Sequence, residues 1–154
     1  MAKKEQSLQQ AVCRYIAHAY PGVMFNSDLS GIRLSMGQSM QVKKLRSSNA
    51  FPDLTIYHNN LHYPILFIEL KSRDAKLLRK DGALCSDDHL REQNELLHEL
   101  EAQGYMARFG WGFDKTQALI DWYMDNERNP NEPPVPKYYH HEKTITKAQK
   151  QINF

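Results

Sequence analysis

Ile65-Leu66-Phe67-Ile68 is an unbroken apolar run, and Glu69-Leu70-Lys71 follows it directly. An apolar run with no polar alternation marks a strand covered on both faces. Such a strand needs a sheet with helices packed against each side. In a strand successive side chains point to opposite faces, so Glu69 and Lys71 share one face and Leu70 takes the other. An acid and a base at the end of a buried strand are costly to desolvate unless they have partners or a task.

The surrounding pattern supplies the rest of the sheet. Leu8, Val12, Tyr15, Ile16 and Ala19 recur at spacings of three and four, which predicts an amphipathic helix over 4–20, stopped by Pro21-Gly22. Val23-Met24-Phe25 reads as a short strand, 27–37 as an irregular loop, and 38–46 as a short basic helix. Leu54-Thr55-Ile56-Tyr57 is a second strand, and His58-Asn59-Asn60 is a turn leading to the apolar run. Residues 72–85 are polar and basic and read as a loop. Ser86 is a plausible N-cap, with Asp87 and Asp88 in the first turn of a helix that runs to about Gln103 and ends at Gly104. Tyr105 to Phe109 is a strand, and Asp114 to Met124 a last helix. The order α-β-β-β-α-β-α predicts an α/β fold, a mixed sheet flanked by helices. With 154 residues, 41% of them hydrophobic, the chain suffices for one domain with a real core, assigned to 1–125. Asn129-Pro130-Asn131-Glu132-Pro133-Pro134-Val135-Pro136 suits neither helix nor interior strand, so 126–154 reads as a Pro-rich linker and polar tail.

Asp53 opens the strand before the apolar run. If the two strands pair as a hairpin, the start of one lies beside the end of the other, and Asp53 meets Glu69 and Lys71. Two carboxylates at one point suit a hard divalent cation such as Mg²⁺, with the Leu70 carbonyl as a further oxygen. A bound cation acidifies water and offsets charge on a phosphoryl group, and an ammonium such as Lys71 orients the attacking water. By spacing alone the plainer reading is the better one: a surface ion pair and a turn aspartate. Gln93 lies on the inward face of its helix with Leu90, Leu97 and Leu100; it either bonds a backbone edge or reaches the acidic cluster.

Taken together, Pro52-Asp53, fifteen residues, then Glu69-Leu70-Lys71 resembles the PD-(D/E)xK nuclease signature. Its flanks, from Glu5 through Gln9 and then Tyr20-Pro21-Gly22-Val23, Ser30-Gly31, Gln93 and Gly104-Tyr105, resemble the VRR-NUC branch, especially its small stand-alone phage and bacterial members. The resemblance covers roughly residues 5–124. It implies a restriction-endonuclease-like core and Mg²⁺- or Mn²⁺-dependent endonucleolytic cutting of DNA. It places Asp53 and Glu69 as metal ligands, Lys71 as the catalytic lysine, and Gln93 as the glutamine that supports the site. Glu5 matches a first-helix acid that joins the metal site, with Gln9 one turn away as the other candidate. It further implies a homodimer acting on branched DNA such as four-way junctions. The alternatives are a non-cutting DNA-binding or assembly protein on the same fold and an RNA-processing enzyme.

Charge is consistent with a polyanion partner. Residues 1–50 carry 7 basic and 2 acidic side chains, and 51–154 carry 13 and 16, for a total of +2. That total excludes a histone-like, purely electrostatic binder. Lys43, Lys44, Arg46, Arg73, Lys76, Arg79 and Lys80 are candidate phosphate contacts, and Ser30-Gly31 is a candidate close approach of backbone to DNA. Cys13 and Cys85 form no disulfide framework or zinc set and read as small buried or half-buried apolar residues. The histidines have no ligand spacing and read as surface residues, and Trp111, Trp122 and Tyr123 as core or interface. Tyr138-Tyr139 is a candidate anchor for a second subunit. No apolar run reaches the ~18–20 residues that span a bilayer, and the start has no signal-peptide pattern, so the expected location is the cytoplasm.

Overall fold

The structure is a computed structural model that describes residues 2–28, 35–45, 48 and 50–125. The first helix, α1 (Ala2–Ala19), buries Leu8, Val12 and Ile16, one per turn, and ends where Gly22 takes a φ of 91°. Strand β1 (Met24–Ser27) follows. Helix α2 (Met36–Lys44) begins with a capping box in which the Ser35 hydroxyl accepts from the Gln38 N–H and the Gln38 side chain accepts from the Ser35 N–H. Strands β2 (Leu54–Tyr57) and β3 (Leu66–Lys71) come next, then α3 (Asp88–Ala102), β4 (Met106–Trp111) and α4 (Gly112–Met124). The expected order holds, with the short basic helix between the first two strands.

The sheet runs β1-β2-β3-β4. β1–β2 and β2–β3 are antiparallel, and β3–β4 is parallel, since α3 carries the chain back across the sheet. On one face Leu66, Ile68 and Leu70 pack with α1 and α4. On the other Phe67 packs with Ala107 and Phe109 beneath Leu90, Leu97 and Leu100 of α3. The apolar run is thus the middle of a two-sided core, as its lack of alternation requires.

Three details differ from expectation. The N-cap of α3 is Asp87, whose carboxylate accepts from the Leu90 N–H, rather than Ser86. Residues 72–85 are not featureless: Leu78 bridges to Leu84, and Leu77 is buried in the α3-side core. His58 is half-buried with its ring edge against Tyr123, unlike a surface histidine.

Close packing of α4 depends on Gly110. A Cβ there would lie 2.6 Å from Thr116 Oγ1 and 2.8 Å from Ile68 Cγ2. The far end of the β2–β3 hairpin is fastened to α4: Tyr123 donates to the carbonyls of His58 and Tyr63 (2.6 and 3.0 Å), and Asn60 donates to the Tyr123 carbonyl (3.1 Å). α1 is joined to α4 by the hydroxyls of Tyr15 and Tyr20, both of which donate to Asp121. Among the described residues no helix is long and apolar enough to cross a membrane.

Candidate active site

The register of the hairpin sets the site. Leu54 pairs with Ile68, so one residue further out Asp53 stands opposite Glu69. The Asp53 carboxylate accepts from the Leu70 N–H (2.9 Å), which ties the entry of β2 to the end of β3. By the same register Pro52 lies opposite Leu70. Proline has no N–H, so β2 offers the Leu70 carbonyl no ladder donor. A strand residue directs its N–H and C=O to the same edge, and that oxygen therefore faces the side on which Asp53 lies.

Glu69 is 3% exposed. Lys71 Nζ donates to its Oε1 (3.0 Å), and Gln93 Nε2 donates to the same oxygen from α3. The second carboxylate oxygen takes neither donor. Burial, and then the negative charge of Asp53, push the Glu69 carboxyl up to about 8 against the pull of Lys71; Glu5 pushes in the same direction. Two close carboxylates with one ammonium between them are short of positive charge.

Gln93 is buried, and its Oε1 has no hydrogen-bond partner. The inward position expected from the α3 periodicity is found, and the amide does reach the acidic cluster. Glu5 in the first turn of α1 is the candidate whose charge acts on Glu69. Gln9 instead donates to Ser27 Oγ and the Asp28 carbonyl (both 2.7 Å). The Asp28 N–H in turn donates to the Asp53 carbonyl (2.7 Å), so Gln9 braces the strand end from which Asp53 projects.

Among the described residues, no three His, Cys, Asp or Glu side chains form a metal-holding group on their own. The hairpin brings the Asp53 and Glu69 carboxylates together, with the Leu70 carbonyl facing the Asp53 edge, an all-oxygen set that fits a hard cation keeping several waters. The unpartnered Gln93 oxygen and the raised Glu69 fit the same group.

Of the candidate phosphate contacts, Lys44, Arg73, Lys76, Arg79 and Lys80 are exposed. Ser30, Gly31, Arg46, the side chain of Lys43 and the whole of 126–154 lie outside the described residues. Two residues beside the site went unread in the sequence as partners of it: Trp111, which pairs with Lys71 across β3–β4, and Lys115. The Lys115 ammonium sits 4.4 Å from the Trp111 ring centre. A Trp and a Lys four apart at a strand-to-helix junction are the signal that could have found them.

No protein-family model and no curated protein matches this chain. A solved structure does: a VRR_NUC domain protein, 18% identical, with a TM-score of 0.54, matched over 79% of this chain and 88% of its own. The two share a fold.

Proposed function

We propose that the protein is a metal-dependent endonuclease that hydrolyses phosphodiester bonds in DNA, with branched DNA as its substrate and Mg²⁺ or Mn²⁺ as its cofactor. The observation that carries the reading is the meeting of Asp53, Glu69, Lys71 and Gln93 at the adjoining ends of two strands and one helix. The likeness of fold to a VRR_NUC domain protein supports it.

Asp53, Glu69 and the Leu70 carbonyl would hold the cation, with Glu5 near enough to add charge. When bound, the ion acidifies a water and offsets charge on the phosphoryl oxygens. Lys71, positioned by Glu69, supplies a cation beside the attacking water, and Gln93 offers a buried carbonyl oxygen that can accept a hydrogen bond from it. Lys44, Arg73 and Lys76, together with Lys43, Arg46 and Ser30-Gly31, would meet flanking phosphates. A homodimer would present two such sites to the strands of a junction; light scattering measures that state.

The test is cleavage of plasmid and four-way-junction DNA by the purified chain, with Mg²⁺ and with EDTA. Wild type should cut only with the metal. Asp53→Asn and Lys71→Ala should each be slower by ~10²-fold or more. Wild-type rates in either variant would end the assignment. Metal-independent binding without cleavage of any branched, flap or linear DNA would favour a non-cutting DNA-binding protein instead.

A further inference from the structure

From the geometry at the end of β4 we infer that Arg73, Trp111 and Lys115 form a phosphate-binding subsite on the β4 side of the candidate active site, gripping the DNA backbone beside the scissile position. This rests on the nuclease reading above and adds two residues to it, Trp111 and Lys115, beside Arg73, which is already named among the phosphate contacts.

Asp53 lies on the β2 side of Glu69 and Lys71, and Trp111 lies on the other, opposite Lys71. Residues paired across strands share a face, so Trp111 and Lys71 project together. The Trp111 indole N–H donates to the Arg73 carbonyl (3.1 Å). Arg73 is held from the other side as well. A Cβ on Gly112 would come within 3.4 Å of the Arg73 Cβ, and Gly112 has a φ of 68°, which L side chains rarely adopt. The start of the Arg73 stem therefore rests against bare backbone. Lys115, one turn into α4, has its ammonium over the Trp111 ring.

One indole thus meets Lys115 through its ammonium and Arg73 through its main chain, and neither cation forms an ion pair among the described residues. Of the nearby acids, Asp74 is paired with Lys4 at 2.6 Å and also feels the Arg73 charge, and Asp114 makes no ion pair among the described residues. An exposed lysine or arginine normally loses much side-chain freedom on meeting a phosphate. Here the Trp111 face has already removed part of it for Lys115, and the hydrogen bond to the Arg73 carbonyl fixes the main chain from which the Arg73 side chain projects. A pair of positive charges beside a proposed phosphodiester-cutting centre fits the neighbouring phosphates of a strand. Trp111 is a positioning residue in this arrangement, and it holds Arg73 and Lys115 without stacking on a base.

The experiment is binding of a short fluorescent DNA duplex in EDTA over a range of salt, for full-length wild type, Arg73→Ala, Lys115→Ala, Lys115→Arg and Trp111→Phe. Arg73→Ala and Lys115→Ala should each weaken binding severalfold and lower the slope of log K against log salt by about 1. Lys115→Arg should restore the slope. Trp111→Phe keeps a ring beneath Lys115 but removes the N–H that anchors the Arg73 main chain, and it should weaken binding less than Arg73→Ala while keeping the wild-type slope. All variants should keep the wild-type Tm, which separates a binding role from a structural one. Wild-type slopes in Arg73→Ala and Lys115→Ala, with wild type still cutting DNA in Mg²⁺, would overturn the subsite and leave the nuclease reading intact. A wild type that neither binds nor cuts DNA would overturn both. Tighter binding of a matched RNA duplex would overturn the assignment to DNA.

Discussion

At the residue scale, the charge at Glu69 has a thermodynamic consequence. The folded chain holds the Glu69 proton up to about pH 8, whereas the unfolded chain releases it near the ordinary value of 4.5. Across that window the unfolded state binds fewer protons, so stability of the metal-free protein falls as pH rises through it. At about 1.4 kcal/mol per pH unit the loss amounts to a few kcal/mol. Denaturant titrations at pH 5 and pH 9 in EDTA should show it, and Glu69→Gln should flatten the difference. A second expectation concerns Gly110. Gly110→Ala would drive a methyl into Thr116 and Ile68 and should cost ~1–3 kcal/mol, read as a Tm lowered by several degrees. The sequence told of Glu69 and Lys71 sharing a face because strand alternation is local geometry. It could not tell that Gly110 was the contact point for α4, since that depends on which helix lands there.

At the scale of elements, β4 and α3 are joined by an ion pair between buried Arg108 and half-buried Glu101. Burial pulls the Arg108 guanidinium below its usual range, and its Nε has no partner, so the pair is finely balanced. Glu101→Ala should leave that charge buried and uncompensated, with a loss of ~3 kcal/mol in urea unfolding. Element boundaries were legible to within a few residues wherever apolar periodicity set them, as in β2 and α3. They shifted where competing chemistry stood side by side. Ser86 and Asp87 are both good caps, and only the turn that is formed decides for Asp87. α4 starts two residues earlier than periodicity suggests, at Gly112, whose φ of 68° is closed to most residues.

At the scale of the whole molecule, cation binding and folding should be linked. A ligand that binds only the folded chain stabilises it by mass action, by about 2.7 kcal/mol at a hundred times Kd. Mg²⁺ should therefore raise the Tm of wild type and leave that of Asp53→Asn nearly unchanged. The gain should be larger at pH 9, where no proton competes for Glu69, than at pH 5. Equal Tm shifts in the two proteins would mean that the ion binds elsewhere. The mixed sheet was legible because one apolar run demanded cover on both faces and α3 is long enough to return the chain in parallel. The tie of α1 to α4 through Tyr15, Tyr20 and Asp121 was not, since it joins residues about a hundred positions apart.

The bond from the Leu70 amide to the Asp53 side chain gives that aspartate two employments, one electrostatic and one mechanical. Truncating it to alanine would unfasten the hairpin mouth while emptying the ligand set, and a dead variant of that sort would be ambiguous. Asparagine keeps an oxygen for the amide and surrenders only the charge, which makes it the discriminating replacement at this position.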